Sequence, residues 1–376
     1  MKYIKRYIEN AVLDDLKQKM VFISGPRQAG KTTLARHLAE QVPNSYYLTW
    51  DAAEDRERIM RENFPSDKGI LILDEIHKYK NWRQVVKGLY DRRKNELQII
   101  VTGSGKLDYY RHGGDSLQGR YHFYRLYPLT LCETSIPDQA NIERLLKFGG
   151  FPEPFELNSE RQSRRWTREY RTRIINEDLQ NLENIKDISL LEHLALRLPD
   201  LVGSPLSINA LRLNLQVAHE TVQRWLTILE NIYMIFRLYP FGAPMIRAVK
   251  KEAKHYHFDW TVINEQGIRF ENFIACSLLK YCHYQQDYEG RDLELRFFRD
   301  IDRREVDFVL IENGQPTHFI ECKLKNKNIS PALNYLKQRF PQAQAIQIAL
   351  HTKDDYIDRN GIRSISAITF LNEIGI

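Results

Sequence analysis

Short apolar runs bounded by turn residues recur through the first part of the chain, at residues 21–24, 46–48, 70–73 and 98–102. Each is strand-length and none shows the polar–apolar alternation of a strand wetted on one face. Between them, residues 32–40 and 82–94 carry apolar side chains at helical spacing. Alternating strand and helix predicts an α/β domain over residues 1–150, with a parallel sheet covered on both faces.

The pattern then changes. Phe151-Pro152-Glu153-Pro154 is expected to break the chain, and residues 164–182 and 190–201 have helical spacing. Two short helices, 207–213 and 219–231, flank a tight turn, and 233–240 reads as extended. This order predicts a helical region over 151–245 ending in a winged helix-turn-helix. Thr221, Gln223, Arg224 and Thr227 could then face DNA, while Val222, Trp225, Leu226 and Leu229 pack inward. Such modules also serve as protein–protein linkers. Over 246–376, a helix at 269–281 precedes strands at 294–300, 305–311, 317–324 and 344–350, with a helix at 330–340. That is a second α/β core.

Composition adds limits. No apolar run approaches the roughly 20 residues a membrane-spanning helix needs, and residues 1–20 lack the apolar stretch of a secretory signal. A cytoplasmic protein without a membrane partner is the expectation. Cys132, Cys276, Cys282 and Cys322 form no paired spacing, which argues for reduced thiols. The net charge of +6 is compatible with a nucleic-acid partner. Arg161, Arg164, Arg165, Arg168, Arg171 and Arg173 crowd one segment with Trp166 and Tyr170; they form either a solvated helix face or a phosphate contact.

The chemistry is densest after the first strand. Gly25-Pro26-Arg27-Gln28-Ala29-Gly30-Lys31-Thr32-Thr33 fits GxxxxGK[ST] between a strand and a helix. The glycines let successive backbone N–H groups turn toward phosphates, and the following helix points its positive end at them. Lys31 is expected at the β- and γ-phosphates of ATP, and Thr32 at Mg²⁺. The strand 70–73 ends in Asp74-Glu75, which puts two carboxylates at the same sheet edge: Asp74 for the metal, Glu75 as the base for the attacking water. Ser104, after strand 98–102, is the candidate γ-phosphate sensor. Asp51 either reaches this edge or caps a helix. Arg120 is the candidate arginine for the γ-phosphate, in cis or in trans from a second copy of a homo-oligomer.

The segments 25–34, Leu73-Asp-Glu-Ile-His77, Thr102-Gly-Ser104, Leu117-Gln-Gly-Arg120 and Gly149-Gly-Phe-Pro-Glu153 occur in that order. Together they resemble the AAA-type ATPase module of prokaryotic ATPases that carry a C-terminal DUF4143 region. The resemblance covers nearly the whole chain and implies an ATPase of the AAA+ group. Such proteins place a Ser-Ser or similar pair where this chain has Ser104-Gly105. Lys254, Tyr256 and Asp259 match the family's Lys-x-Tyr-x-x-Asp stretch.

In the last third, Asp307 lies on one strand and Glu321 and Lys323 share a face of the next. Carboxylates suit Mg²⁺, which activates water and neutralises a phosphodiester, and a lysine can stabilise the developing charge. The spacing D-x(13)-E-x-K resembles the core of PD-(D/E)xK nucleases, in which Glu271 would be the added helical glutamate. Asp307, Glu321 and Glu271 are thus the candidate metal ligands; a surface salt bridge on an exposed sheet is the ordinary alternative. His255, His257 and Asp259 alternate along one strand, a pattern of either a solvated face or a zinc site.

Three functions fit: an ATPase coupled to a nuclease-like domain acting on nucleic acid, a nucleotide-gated regulator whose C-terminal domain binds without cutting, and a small-molecule kinase. Glu75 and the lack of an evident acceptor pocket count against the kinase.

Overall fold

A computed structural model of the chain describes residues 3–64, 68–104, 107, 117–175, 187–242, 252–325 and 328–376. They fall into two compact units: residues 1–129 with 231–233 and 287–289, and residues 130–230, 234–286 and 290–376.

The first unit is built on five parallel strands, β1 (Met20–Ser24), β2 (Tyr46–Thr49), β3 (Gly69–Asp74), β4 (Leu97–Thr102) and β5 (Tyr121–Arg125), in the order β2-β3-β4-β1-β5. β1 and β3 are buried along their whole length, as their unbroken apolar runs require. Helices α1 (Glu9–Asp15), α2 (Lys31–Glu40), α3 (Ala53–Met60) and α4 (Trp82–Arg93) complete the unit. Trp82, Val86 and Leu89 of α4 pack with Phe22, Leu71, Leu73, Ile99 and Val101 of the strands. Burying such a set supplies roughly 1.5–3 kcal/mol per large apolar side chain. The sheet order sets β4 between β3 and β1. The residues that follow these three strands therefore meet at one edge.

The second unit opens with helices α5 (Gln139–Phe148), α6 (Pro152–Leu157) and α7 (Glu160–Arg173). The segment expected to break the chain is instead the start of α6. Pro152 occupies its first turn, where the missing N–H has no helical partner to lose. The helix expected over 164–182 begins earlier, at Glu160; its later part, 176–182, lies outside the described residues. After α8 (Ile188–Arg197) come α9 (Ile208–Leu215), α10 (His219–Asn231), and the antiparallel pair β6 (Ile235–Leu238) and β7 (Lys254–His257).

The long helix α11 (Gln266–Asp287) leads into β8 (Leu293–Arg299), β9 (Glu305–Glu312), β10 (Gln315–Lys325), α12 (Pro331–Arg339), β11 (Gln344–His351), β12 (Asp355–Ile357), β13 (Ile362–Ser366) and α13 (Ala367–Ile374). The six strands form a mixed sheet in the order β12-β13-β11-β10-β9-β8. Among the described residues no helix is long and apolar enough to cross a membrane.

β7 departs from its sequence reading. All four of its residues are buried, so the solvated face expected for His255 and His257 does not form. His255 Nε2 hydrogen-bonds with the Leu198 carbonyl at 2.8 Å, and Asn272 pairs with the backbone of His257. Asp259 turns to cap the next turn, accepting from the Thr261 N–H at 3.1 Å. Among the described residues no three His, Cys, Asp or Glu side chains are grouped to hold a metal ion, which removes the zinc reading. Burial pushes the His257 imidazole well below its usual range and His255 down to about 4.

Both imidazoles are therefore neutral in the fold, while the unfolded chain takes up protons near pH 6.5. Stability is full above that pH and is lost as pH falls through it toward 4, by about 3 kcal/mol for His255 alone. Urea unfolding from pH 7 to 4 should show this slope. His255→Gln, which keeps a donor for the Leu198 carbonyl, should flatten it, and an unchanged slope would count against this account.

Candidate functional site

The loop between β1 and α2 is shaped by three residues with left-handed or strained backbone: Gly25 at φ 139°, Gln28 at 59° and Gly30 at 96°. A Cβ on Gly25 would lie 2.2 Å from the Leu126 carbonyl oxygen, so only glycine lets the loop pass the end of β5. Arg6, buried, donates to the carbonyls of Ala29 and Tyr127 at 2.5 Å each and ties the loop to the segment after β5. Nothing in the sequence pattern marks Arg6 for this role. The Lys31 ammonium closes over the loop, donating to the Gly25 and Pro26 carbonyls at 2.9 and 2.6 Å. Gln28 Oε1 is buried and has no hydrogen-bond partner among the described residues. Arg27, Ala29 and Thr33 complete the loop and the first turn of α2.

Thr32 and Asp74 meet here. Thr32 Oγ1 donates to Asp74 Oδ2 at 3.0 Å, Tyr47 OH to the same oxygen at 2.7 Å, and Thr102 Oγ1 to Oδ1 at 2.5 Å. The register accounts for Thr102, which pairs directly with Asp74, and it places Tyr47 two residues before Thr49, the β2 partner of Asp74, on the same face. Burial and the neighbouring Asp74 push the Tyr47 hydroxyl up to about 12, so it remains a donor. An oxygen-only set of this kind suits the hard cation Mg²⁺.

Glu75 follows with a left-handed backbone, φ 56°, and its N–H donates to the Thr102 carbonyl at 2.9 Å. This unfavourable conformation turns the residue out of the strand line. Burial raises the Glu75 carboxyl above its ordinary range, against the pull of Lys78 and Lys31. Lys78 lies 3.3 Å from Glu75 and 2.7 Å from both oxygens of Asp51. Asp51 thus reaches the site edge through Lys78. It is not a helix cap: Ala52 holds that position on α3, without a side-chain bond.

Ser104 is buried and directly follows β4, between the strand of Asp74 and the strand of the loop. Its neighbour Gly105 lies outside the described residues. Arg120 is at the other end of the sheet. Its carbonyl accepts from the N–H of Met20, the first residue of β1, and its guanidinium donates to Asp91 at 2.8 and 3.2 Å. The length of β1 separates it from the loop, which corrects the cis reading. Arg120 could meet the loop 25–33 of a second copy, not that of its own chain.

In the second unit, β9 and β10 bring the expected carboxylates into one buried cluster around an unexpected cation. Lys254 is fully buried, with Nζ 2.6 Å from Glu305, 3.4 Å from Glu271 and 3.9 Å from Asp307. Burial works against its charge, but Glu271, Asp307 and Glu305 outweigh it and hold the ammonium well above its ordinary range. Tyr256 OH donates to Glu271 at 2.8 Å. Asp307 Oδ2 accepts the backbone N–H of Cys322 at 2.8 Å, and Lys323 pairs with Glu321 at 2.6 Å.

Burial and the nearby Asp307 raise Glu271 and Glu321 to about 7, and burial raises Asp307 too. Glu321 is buried, not on an exposed sheet, and its Oε2 has no hydrogen-bond partner among the described residues. The sequence foresaw Asp307, Glu321, Lys323 and Glu271 as neighbours. It missed Lys254 and Glu305, although Lys254 belongs to a motif already singled out.

α10 buries Val222, Trp225, Leu226 and Leu229, as its spacing predicts, and leaves Arg224 and Thr227 exposed. Thr227 receives a 3.3 Å hydrogen bond from Arg237 of β6.

Residues 17–135 match the family model of an AAA domain, and residues 139–268 and 266–371 match two domains of unknown function, DUF8612 and DUF4143. The chain is 27% identical to an uncharacterized protein of Mycobacterium tuberculosis over 79% of this chain and 71% of that one. It is 24% identical to an uncharacterized protein of Methanocaldococcus jannaschii over 89% of this chain and 80% of that one. Among solved structures, the Walker-type ATPase PABY2304 of Pyrococcus abyssi aligns with a TM-score of 0.46 and 13% identity, covering 69% of this chain and 95% of that one. The chain thus carries an AAA ATPase domain on a parallel five-stranded sheet and, in a separate mixed-sheet unit, a DUF4143 domain.

Proposed function

We propose that the protein hydrolyses ATP with Mg²⁺ at the loop 25–33, and that the C-terminal unit is a nuclease-like module acting on nucleic acid. The observation that carries the first part is the Thr32–Asp74 contact beside Lys31, at the one sheet edge that β1, β3 and β4 share. Backbone N–H groups of the loop and the positive end of α2 would bind the phosphates, with Lys31 at the β- and γ-phosphates. Thr32 and Asp74 would hold Mg²⁺, which supplies charge neutralisation on the phosphate oxygens. Glu75 would orient and deprotonate water, Ser104 would contact the γ-phosphate, and Arg120 would act only in trans.

The second part rests on Asp307, Glu321 and Lys323 on neighbouring strands and on the unpartnered, buried Glu321 oxygen. Among the described residues no three His, Cys, Asp or Glu side chains are grouped to hold a metal ion, Glu271, Asp307 and Glu321 included, so a metal here would rest on Asp307 and Glu321. A second reading, a nucleotide-gated regulator that binds and does not cut, is favoured by Lys254. Its ammonium already sits among Glu271, Glu305 and Asp307 and offsets one of their negative charges, which meets part of the need that a metal would meet. The exposed Arg224 and Thr227 on α10 support a DNA contact by a winged helix-turn-helix in either reading.

Lys31→Ala should lower ATP turnover at least about a hundredfold, because a transition-state charge contact is lost; phosphate release measured with purified protein checks it. Lys78→Met removes a positive charge that lowers the Glu75 pKa. The acid limb of the ATPase pH profile should therefore move to higher pH, and a shift to lower pH would reject Glu75 as the base. Asp307→Asn should abolish metal-dependent cleavage of single- or double-stranded DNA and RNA. If the unaltered protein binds these and cuts none across Mg²⁺ and Mn²⁺, the regulatory reading stands.

A further inference from the structure

Six arginines crowd α7 and its sequence reading left them undecided. The structure divides them. Ser163, Trp166 and Tyr170 form the buried face, where Trp166 and Tyr170 stack at 4.6 Å and both rings meet Phe151 at 4.9 and 4.8 Å. Arg164, Arg168 and Arg171, at i, i+4 and i+7, line a cavity of about 500 Å³ together with Lys147 and Arg269. Arg161, Arg165 and Arg173 do not line it.

Two motifs that the nucleotide site leaves without a role support residues that line the cavity. In Gly149-Gly-Phe-Pro-Glu153, Gly149 ends α5 at φ 82°, and a Cβ there would lie 3.0 Å from Thr261 Cγ2 and 3.5 Å from Asp259 Oδ1. Phe151 seats the buried face of α7. In Lys254-x-Tyr-x-x-Asp259, the Asp259 carboxylate accepts from Thr261 Oγ1 at 2.6 Å. That holds the Thr261 hydroxyl 3.3 Å from the hydroxyl of Thr167, on the cavity surface.

The charge is unbalanced. Of the acids, Glu160 pairs with Lys147 at 2.6 Å and Arg164 at 3.4 Å, and Asp259, which does not line the cavity, feels the charge of Arg171 from behind Thr261. The Arg168 carbonyl accepts from Thr172 Oγ1 at 3.0 Å, and its guanidinium has no hydrogen bond or ion pair among the described residues. Cations at i, i+3 and i+4 on one helix face repel each other. We propose that this cavity binds the phosphate group of a phosphate ester, with guanidinium groups giving forked hydrogen bonds. The ester is a nucleic-acid strand or a free nucleotide, and the inference does not depend on the functional reading above.

The test uses the full chain carrying Lys31→Ala, so that the first unit's loop does not contribute. A cavity triple variant, Arg164→Ala with Arg168→Ala and Arg171→Ala, is compared with an off-cavity triple, Arg161→Ala with Arg165→Ala and Arg173→Ala. Both lose the same charge from the same helix. Fluorescence anisotropy with short labelled single-stranded DNA and RNA is run with AMP and inorganic phosphate as competitors, against salt.

The cavity triple should weaken binding at least about tenfold with a shallower salt slope, while the off-cavity triple stays within about twofold. Competition by AMP at concentrations that leave the salt effect small assigns the cavity to a free nucleotide; failure of AMP to compete assigns it to a strand. Equal losses in both triples, or no binding by the unaltered cavity to any probe, would overturn the proposal. Should the cavity triple fail to match the parent's circular dichroism, the single change Arg168→Glu, at an exposed side chain, carries the same comparison.

Discussion

The carboxylate of Asp74 accepts hydrogen bonds from Thr32, Tyr47 and Thr102, which come from α2, β2 and β4. That one group fixes how the edge of the first sheet can be used. It lies at the end of a strand whose six residues are all buried, so its position is set by a core that is costly to deform. Three donors on two oxygens leave it little freedom. Everything that reaches the loop 25–33 from the acidic side does so at a place this network defines. Glu75, next in the chain, is turned out of the strand by its left-handed backbone and held by the Thr102 carbonyl. Two adjacent carboxylates are thereby given different surroundings: one among hydroxyls, the other buried beside Lys78 with its proton affinity raised. Separate duties for adjacent acids follow from that separation of environments.

Much of this edge was legible in the sequence because strong local constraints wrote it there. Unbroken apolar runs announced β1, β3 and β4, and the acids and glycines at their ends could only lie at the edge of a parallel sheet. α1 and α3 were not legible: α3 buries only Ile59, so it has almost no apolar period to read. β12 has three exposed residues and no pattern at all. Arg6, Tyr47 and Lys78 were missed for a different cause. Arg6 and Tyr47 act through partners far off in sequence, and nothing about an arginine near the start of a chain says which carbonyls it will reach; Lys78 bridges Glu75, three residues away, to the distant Asp51. Arg120 was misplaced although it precedes β5: in a parallel sheet that puts it at the amino edge, opposite the ends of β1, β3 and β4, a cue outweighed by the expectation of an arginine at the γ-phosphate.

The C-terminal cluster marks the limit of motif reading. D-x(13)-E-x-K brought Asp307, Glu321 and Lys323 together correctly, since two paired strands with alternating side chains leave few other arrangements. What decides the chemistry of the cluster is the cation in it, and that cation comes from β7, outside the motif. Four carboxylates, Glu271, Glu305, Asp307 and Glu321, are met by Lys254, Lys323 and, at the rim, Arg299, so the described cluster keeps an excess of one negative charge when all are ionised. Burial makes that excess expensive, which is why Glu271 and Glu321 are raised to about 7. A buried group of acids in that condition gains from any further positive charge, whether a metal, a proton or a cationic partner.

That argument reaches the other end of the same unit with its sign reversed. On α7 the unbalanced charge is positive, and of the acids nearby Glu160 is committed to Lys147 and Arg164 and Asp259 to Thr261. Mutual repulsion among Arg164, Arg168 and Arg171 weakens the helix that carries them, and Trp166 and Tyr170 must hold it against Phe151 by packing. One unit therefore carries a buried acidic cluster short of cations and an open basic cavity short of anions, both built around the segment from Lys254 to Arg269. A phosphate ester bound in the cavity would relieve the arginines' repulsion. The sequence motif Lys254-x-Tyr-x-x-Asp259 then has one physical reading: Lys254 and Tyr256 serve the acids, and Asp259 serves the basic side by fixing Thr261.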